Sequence, residues 1–203
     1  MDKGMIFTPT DILNLDCYVD SDFAGLWGVE DDQDPICVRS RTGFVITLAN
    51  CPLLWVSKLQ SVQCLSTTEA EYTALSQSMR SLIPLRELTK EVLEHLDQKF
   101  AEAKILSTVF EDNNGCISTA KAQKMTPRTK HIAVSYHFFR SHLKENGGAI
   151  NLVKISTDLQ KADIFTKGLG PNQFRKTRML LCGWDTVKSV KDKAARVRKG
   201  AQV

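Results

Sequence analysis

The spacing of apolar and polar residues changes once along the chain. Residues 15–23 alternate between apolar and polar side chains, which is typical of a strand with one buried face. Residues 41–48 and 52–57 are two further short apolar runs that predict strands, and Asn50-Cys51-Pro52 between them predicts a hairpin turn. The polar and glycine-containing stretch 25–40 predicts a long loop. The first third is therefore expected to form an antiparallel meander.

From residue 69 to residue 96 the apolar positions follow a helical period. Ser66-x-x-Glu69 and Thr68-x-x-Glu71 both fit the capping-box pattern, so a helix should begin near Thr67. Pro84 lies inside this pattern and should kink or split the helix.

Strands and helices then alternate. Residues 105–110 and 149–155 predict strands, and helices are predicted at 113–123, 132–145, 157–165 (capped by Thr157) and 172–181. This order predicts an α/β fold with a mixed sheet flanked by helices. We divide the chain into a lead-in linker (1–14), a main domain (15–170), and a C-terminal helix with a basic flexible tail (171–203).

Composition adds few constraints. The formal net charge is +4, from 27 basic and 23 acidic residues, which permits a polyanionic partner without requiring one. No apolar run is long enough for a membrane span, and the start lacks a secretory signal. Six cysteines without a CxxC pair are expected to be reduced side chains. The tail concentrates the positive charge, with Lys188, Lys191, Lys193, Arg196, Arg198 and Lys199.

Four separated acids could form a metal site: Asp20, Glu71, Asp112 and Asp163. Each falls on a predicted strand or near a helix start, where the backbone is rigid. Converging carboxylates are the ligands that Mg²⁺ prefers. Taken singly, each acid also has a structural interpretation. Glu71 fits as the capping-box partner of Thr68, and Asp112 as the cap of the helix that follows it.

Two neighbouring acids compete for the same roles. Glu69 and Glu71 point about 200° apart on a helix, so only one of them can face the site. We favour Glu71, because Glu69 can cap the helix with Ser66. Asp20 and Asp22 share one face of their strand, and Asp20 is the more central. Asp22 is an accessory position that either approaches the metal or has no role.

Five stretches carry a family resemblance, and they cover roughly residues 4–182. The chain resembles the ribonuclease H domain of copia-type retrotransposon Pol polyproteins. The most specific stretches are S-T-T-E-A-E-Y at 66–72 and A-D-x-x-T-K at 162–167; the others are Y-V-D-S-D-F-A-G at 18–25, S-R-T-G-F at 40–44, and E-D-N at 111–113 with T-K-H-I at 129–132 and Y-H-F at 136–138.

The resemblance implies a ribonuclease H-like five-stranded mixed sheet and an endonuclease that cuts the RNA strand of RNA–DNA hybrids. It implies two Mg²⁺ ions, with Mn²⁺ as a substitute, held by Asp20, Glu71, Asp112 and Asp163. It also implies a role in reverse transcription beside the polymerase domain of the same polyprotein, in the cytoplasm or in virus-like particles.

A hybrid is held mainly through phosphates and 2′-hydroxyls. The expected contacts are Asn113, Asn114, Thr67, Thr68, Arg128 and Lys130. Many ribonucleases H carry a histidine on a loop shortly before the last acid, and residues 148–163 contain none. His131 is therefore an accessory candidate, and His137 is a second one, although packing or surface roles suit both.

Two other functions stay open at this point. A catalytically silent nucleic-acid-binding or interaction module, derived from a decayed polyprotein, would have the same fold. An integrase-type nuclease core shares the sheet, but it typically uses three acids with the last on a helix, which fits Asp163 in its A-D-x-x-T-K stretch poorly.

Overall fold

A computed structural model of the chain describes residues 4–30, 33–34, 36–96, 105–122 and 137–184. Five strands form one sheet in the order β3-β2-β1-β4-β5. They are β1 (Asn14–Asp22), β2 (Arg41–Leu48), β3 (Cys51–Leu59), β4 (Leu106–Glu111) and β5 (Ile150–Lys154). The pairs β1–β2 and β2–β3 are antiparallel, whereas β1–β4 and β4–β5 are parallel. The predicted five-stranded mixed sheet is confirmed.

The alternation in β1 divides the sheet into two faces. Leu15, Cys17 and Val19 are fully buried, in a core that also contains Leu75 and Met79 of helix α1 (Thr67–Leu96). On the other face, Lys161 lies over the ring of Tyr18. Asp20 shares that second face, so the segment around residue 161 packs beside it.

The β2–β3 hairpin turns at Ala49 and Asn50, which have φ values of 48° and 66°. Leu48 pairs directly with Cys51, so the turn has two residues, and both take the positive φ that a type I′ turn requires. The predicted turn at Asn50-Cys51-Pro52 was therefore placed too late. Pro52 lies in β3, an edge strand, where a missing backbone donor is tolerated.

Helix α1 begins where the capping box predicted. Ser66 Oγ accepts from the backbone N–H of Glu69 at 3.2 Å, and the Glu69 carboxylate accepts from the Leu65 N–H at 2.7 Å. The helix then runs through Pro84 to Leu96 without a break, so the predicted split is wrong. Beyond Pro84, the buried Arg86 donates to the carbonyl of Ile105 at 2.9 Å, which anchors the second half of the helix to the sheet.

Two shorter α-helices complete the described fold, α2 (Asn114–Lys121) and α3 (Pro171–Leu181). The helix predicted at 132–145 is wrong in its described part, which consists of 3-10 turns at Phe138–His142 and Lys144–Asn146. Gly147 ends the second turn in the left-handed conformation, as the Gly147-Gly148 stop predicts. At the ends of the described chain, the Ile6 N–H donates to the carbonyl of Cys182 at 2.9 Å.

The helix predicted at 157–165 is also wrong, because two 3-10 turns occupy it, Thr157–Leu159 and Lys161–Phe165. Gln160 separates them in an extended conformation. Its buried side-chain amide donates to the carbonyl of Val19 at 2.8 Å, which ties this extended residue to β1. Thr157 does not cap the first turn, which has Ser156 before it and no side-chain cap. No helix among the described residues is long and apolar enough to cross a membrane.

Candidate metal centre

Three carboxylates from different elements meet at one end of the sheet. Asp20, Glu71 and Asp112 each place an oxygen within 4.8 Å of the others. Tyr18 pairs with Phe110 in the parallel β1–β4 ladder, and Asp20 and Asp112 each follow two residues later. The parallel pairing therefore delivers both aspartates to the same edge, where the first turns of α1 supply Glu71.

Asp163 joins the three through a lysine. The ammonium of Lys167 lies 2.9 Å from Asp20 Oδ1 and 3.0 Å from Asp163 Oδ1. The side chains of Asp20 and Asp163 are 0% and 5% exposed, whereas that of Lys167 is 37% exposed. The four acids predicted from the sequence thus lie in one cluster, with Asp163 on the Lys167 side of it.

Three further residues belong to this cluster and were not predicted as site residues. The Thr166 hydroxyl donates to Asp20 Oδ2, so both oxygens of Asp20 have partners. Thr166 and Lys167 stand in the A-D-x-x-T-K stretch, which was the available signal. Glu111 is fully buried and accepts from the Asn113 N–H at 2.9 Å. Alternation along β4 places Glu111 on the buried side with Ser107 and Val109, which could have identified it.

Burial and crowding make the cluster electrostatically unfavourable. Burial is the main cause that raises the pKa of Glu71 to about 10, with the negative charges of Glu111 and Asp20 adding to it. Burial likewise raises the pKa of Glu111 to about 8. For Asp20 the rise, again from burial, is to about 6, because Lys167 and Thr166 favour its charged form. Burial and mutual repulsion therefore favour the protonated forms of these carboxyls unless a further cation approaches.

The two competing acids lie outside the close group of three. Glu69 caps α1, as described above, while Glu71 faces Asp20 and Asp112. Asp22 ends β1 and is half-buried. Burial raises the pKa of Asp22, and the nearby charges of Lys167 and Arg41 lower it.

The end of β4 is held in place by several bonds. The Thr157 hydroxyl donates to Asp112 Oδ2 at 2.9 Å, and the Lys154 ammonium donates to the Asp112 carbonyl. Asn113 caps α2 by accepting from the Cys116 N–H at 2.9 Å. The cap is thus Asn113, and the alternative in which Asp112 caps this helix is wrong.

The predicted substrate contacts lie partly beside this cluster. The starts of α1 and α2 lie next to each other. A β-carbon built on Gly115 would lie 2.8 Å from Thr68 Oγ1. Thr67, Thr68, Asn113 and Asn114 therefore surround the same edge, with Thr67 and Asn114 exposed. Arg128, Lys130 and His131 lie outside the described residues. His137 Nδ1 lies 2.7 Å from the buried hydroxyl of Tyr72, so this histidine pairs with a tyrosine next to Glu71 in sequence.

A cleft of about 450 Å³ opens beside Lys167. Its polar lining includes Asp22, Arg39, Arg41, Ser57 and Lys167. Ser57 Oγ donates to the carbonyl of Phe165 at 2.6 Å, which ties β3 to the turn that carries Asp163. The basic side chains of this cleft were not predicted as substrate contacts.

The solved structures that are similar to this chain include two ribonuclease H domains, both with a TM-score of 0.48. A ribonuclease H1 isolated from compost by a metagenomic approach is 14% identical, covering 76% of this chain and 93% of that one. The N-terminal ribonuclease H domain of a Mycobacterium tuberculosis protein is 12% identical, covering 82% of this chain and 97% of that one. No protein-family model matches the sequence.

Curated proteins give closer relatives. The chain is 32% identical over 164 residues to the retrovirus-related Pol polyprotein from transposon TNT 1-94 of Nicotiana tabacum, a match that covers 81% of the chain. It is 30% identical to the corresponding polyproteins of transposons RE2 and RE1 of Arabidopsis thaliana, over 86% and 85% of the chain. It spans only 11% of the length of each relative. The resemblance found in the motifs is confirmed, and the chain is a homologue of one segment of the Pol polyproteins of copia-type transposons.

Proposed function

We propose that the chain is a ribonuclease H, a metal-dependent endonuclease that hydrolyses the RNA strand of RNA–DNA hybrids. The observation that carries the proposal is the meeting of Asp20, Glu71 and Asp112 within 4.8 Å, with Asp163 joined to Asp20 through Lys167. Homology to a segment of transposon Pol polyproteins supports this assignment, because reverse transcription leaves RNA in hybrid form.

The residues present fit divalent cations such as Mg²⁺ or Mn²⁺. Glu71 Oε2 is buried and accepts no hydrogen bond from the described residues, so this oxygen is available as a metal ligand. Burial, with the negative charges of Glu111 and Asp20, raises the pKa of Glu71, and a bound cation would oppose this rise. Asp20, Glu71 and Asp112 would hold one ion, and Asp20 with Asp163 a second. When bound, the ions supply Lewis-acid stabilisation of the charge that develops during phosphodiester hydrolysis.

The chain's own residues hold these carboxylates in fixed orientations. Thr166 restrains one oxygen of Asp20, and Thr157 restrains one oxygen of Asp112. Asp20 lies on a central strand, and Glu71 lies one turn inside a long helix. Such rigid placement keeps like charges together without waiting for the substrate to organise them.

We place the substrate backbone across the exposed edge of the acid cluster, with the starts of α1 and α2 on one side and the cleft on the other. Thr67, Thr68, Asn113 and Asn114 offer hydroxyl and amide groups for 2′-hydroxyls and phosphates on one side. On the other side, Arg39 and Arg41 line the cleft and offer positive charge to phosphates. Arg128 and Lys130 remain predicted contacts. The chain would act beside the polymerase domain of the same polyprotein, inside the cell.

A cleavage assay tests the proposal. The substrate is an RNA–DNA hybrid labelled on each strand in turn, with Mg²⁺, Mn²⁺ or a chelator. We expect cutting of the RNA strand alone, only with metal. Asp20→Asn should lower the rate of RNA cleavage by more than the roughly 10- to 100-fold loss that is typical when a residue orienting a metal ligand is removed. Asp16→Asn is the matched control, because Asp16 lies on the same face of β1 but outside the cluster.

Two outcomes would contradict the proposal. Full activity in Asp20→Asn would overturn the metal assignment. Binding of the hybrid without turnover at saturating metal would instead support the catalytically silent module.

A further inference from the structure

Lys167 makes the ion pairs of the cluster. Among the described residues, Lys167 forms ion pairs with Asp20 and Asp163. No other described lysine or arginine pairs with the side chains of the acids of the cluster, which are Asp20, Glu71, Glu111, Asp112 and Asp163. The nearby Lys154 ammonium contacts the backbone carbonyl of Asp112. Lys167 therefore neutralises Asp20 and Asp163 directly.

This arrangement has an energetic reason. A buried carboxylate without a counter-charge is strongly unfavourable, and it either gains a partner or takes up a proton. The ammonium of Lys167 lies between the two acids that would share the second divalent cation. An ammonium and a metal ion cannot occupy the same space between Asp20 Oδ1 and Asp163 Oδ1.

We infer that Lys167 is an internal counter-ion, which holds Asp20 and Asp163 in the metal-free protein and must leave when a second divalent cation binds there. The inference rests on the proposed function, since it takes Asp20 and Asp163 as metal ligands. Lys167 is a positioning residue and has no assigned contact with the reacting atoms. Its 37% exposed side chain reaches the cluster from the cleft side, so solvent lies open to it when it is displaced.

The two ions should bind with different affinities. Within the part of the chain that the structure describes, no lysine forms an ion pair with the side chain of Glu71 or Asp112, so a first ion can bind there while Lys167 stays paired with Asp163. The second ion competes with the lysine. Removal of the ammonium should therefore tighten the second binding event and destabilise the metal-free fold, and these two effects have opposite signs.

Binding of Mn²⁺, followed by electron paramagnetic resonance on the full chain, tests the first effect. Wild type should bind one ion more tightly than the other. In Lys167→Met the second ion should bind about tenfold more tightly, a size typical of coupling between sites. Lys167→Arg, which keeps the charge, should bind the second ion as weakly as wild type does. Lys90→Met is the control, because Lys90 pairs with Glu87 at an exposed position of α1.

Thermal unfolding in chelator tests the second effect. Lys167→Met should lower the melting temperature by at least about 3 °C, and Lys90→Met should not. If Lys167→Met does not fold, the displacement of Lys167 can be measured on the wild-type chain by nuclear magnetic resonance. Its Lys167 ammonium should give a protected ¹⁵N–¹H signal in chelator, which disappears with the second equivalent of Mg²⁺ and not with the first.

The outcomes distinguish this inference from the proposed function. Two bound ions in wild type, with an unchanged second affinity in Lys167→Met, would overturn the role of Lys167 and leave the nuclease proposal standing. Failure of wild type to bind any Mn²⁺ at millimolar concentration would overturn both.

Discussion

Gly43 lies directly opposite Asp20 in the antiparallel pairing of β1 with β2. A β-carbon at Gly43 would lie 2.5 Å from Thr166 Cγ2 and 2.9 Å from Phe165 Cβ. The missing side chain therefore lets the turn that carries Asp163 and Thr166 approach the sheet. Asp20 obtains its hydroxyl donor because its strand partner is a glycine.

We expect Gly43→Ala to lower the free energy of unfolding by about 1–3 kcal/mol, which is typical of overpacking in a well-packed region. It should also weaken Mn²⁺ binding, because the turn carrying Asp163 is pushed away from Asp20. Denaturant unfolding and metal titration measure the two effects. Gly168→Ala is the control, since a β-carbon there meets no atom within 4 Å. Equal behaviour of the two variants would refute the importance of this close approach.

The stability of the metal-free protein should fall as pH rises from about 5 to about 10. The folded-state pKa values of Glu71 and Glu111 are raised to about 10 and about 8, so the folded chain binds more protons than the unfolded chain in this range. Stability falls with pH wherever the folded state holds the extra protons, by up to about 1.4 kcal/mol per pH unit per proton.

Melting temperatures in chelator, measured across this range, check the slope. Glu71→Gln should flatten it, and saturating Ca²⁺ should stabilise the wild type more at pH 9 than at pH 6. A flat wild-type profile in chelator would contradict the electrostatic description of the cluster.

Neutralising the cleft should weaken hybrid binding without disturbing the acid cluster. We expect the double variant Arg39→Ala with Arg41→Ala to bind a hybrid about tenfold less tightly near physiological salt. The slope of log affinity against log salt should also become shallower by up to about 2, if each arginine neutralises one phosphate. Fluorescence anisotropy with Ca²⁺ in place of Mg²⁺ measures both.

The control for this measurement is Lys90→Ala, which removes a cation far along α1 from Glu71. Unchanged binding and an unchanged salt slope in the arginine variant would show that the backbone of the hybrid does not cross the cleft.

Thr157→Val should reduce cleavage by about 10- to 100-fold, the range typical of residues that orient a metal ligand. Valine keeps the shape of threonine and removes the hydroxyl that donates to Asp112 Oδ2. Stability should change little, because Asp112 is only partly buried. Thr89→Val, which removes a hydroxyl bonded within α1, is the control for steady-state cleavage rates. If both variants cleave alike, Thr157 has no positioning role.

Local patterns predicted much of this fold. The alternation along β1 predicted which side chains face the core, and the capping box predicted the start of α1. Both signals arise from residues within a few positions of each other. Pro84 was misleading for a related reason. Its local effect is unfavourable to a helix, but the buried Arg86 and the packing of Leu82 hold the helix on both sides of it.

The turns after β5 could not be predicted in the same way. Gln160 reads as an ordinary helix residue, yet its amide bonds to Val19, 141 positions away in sequence. The two 3-10 turns therefore depend on a tertiary contact that no local pattern contains. Lys167 stands in the A-D-x-x-T-K stretch, but that stretch alone does not show its pairing with Asp20, which is 147 residues distant. The metal roles of Asp20, Glu71, Asp112 and Asp163 remain predictions.

The distance in sequence between Asp20 and Lys167 also bears on biosynthesis. A nascent chain that has not yet exposed residue 167 can pair β1, β2 and β3, but it lacks both Asp163 and the lysine that neutralises Asp20. The cluster is thus completed only after all five strands of the sheet have been synthesised. Synthesis that stopped between Lys154 and Asp163 would leave a chain with every strand of the sheet and an incomplete set of acids.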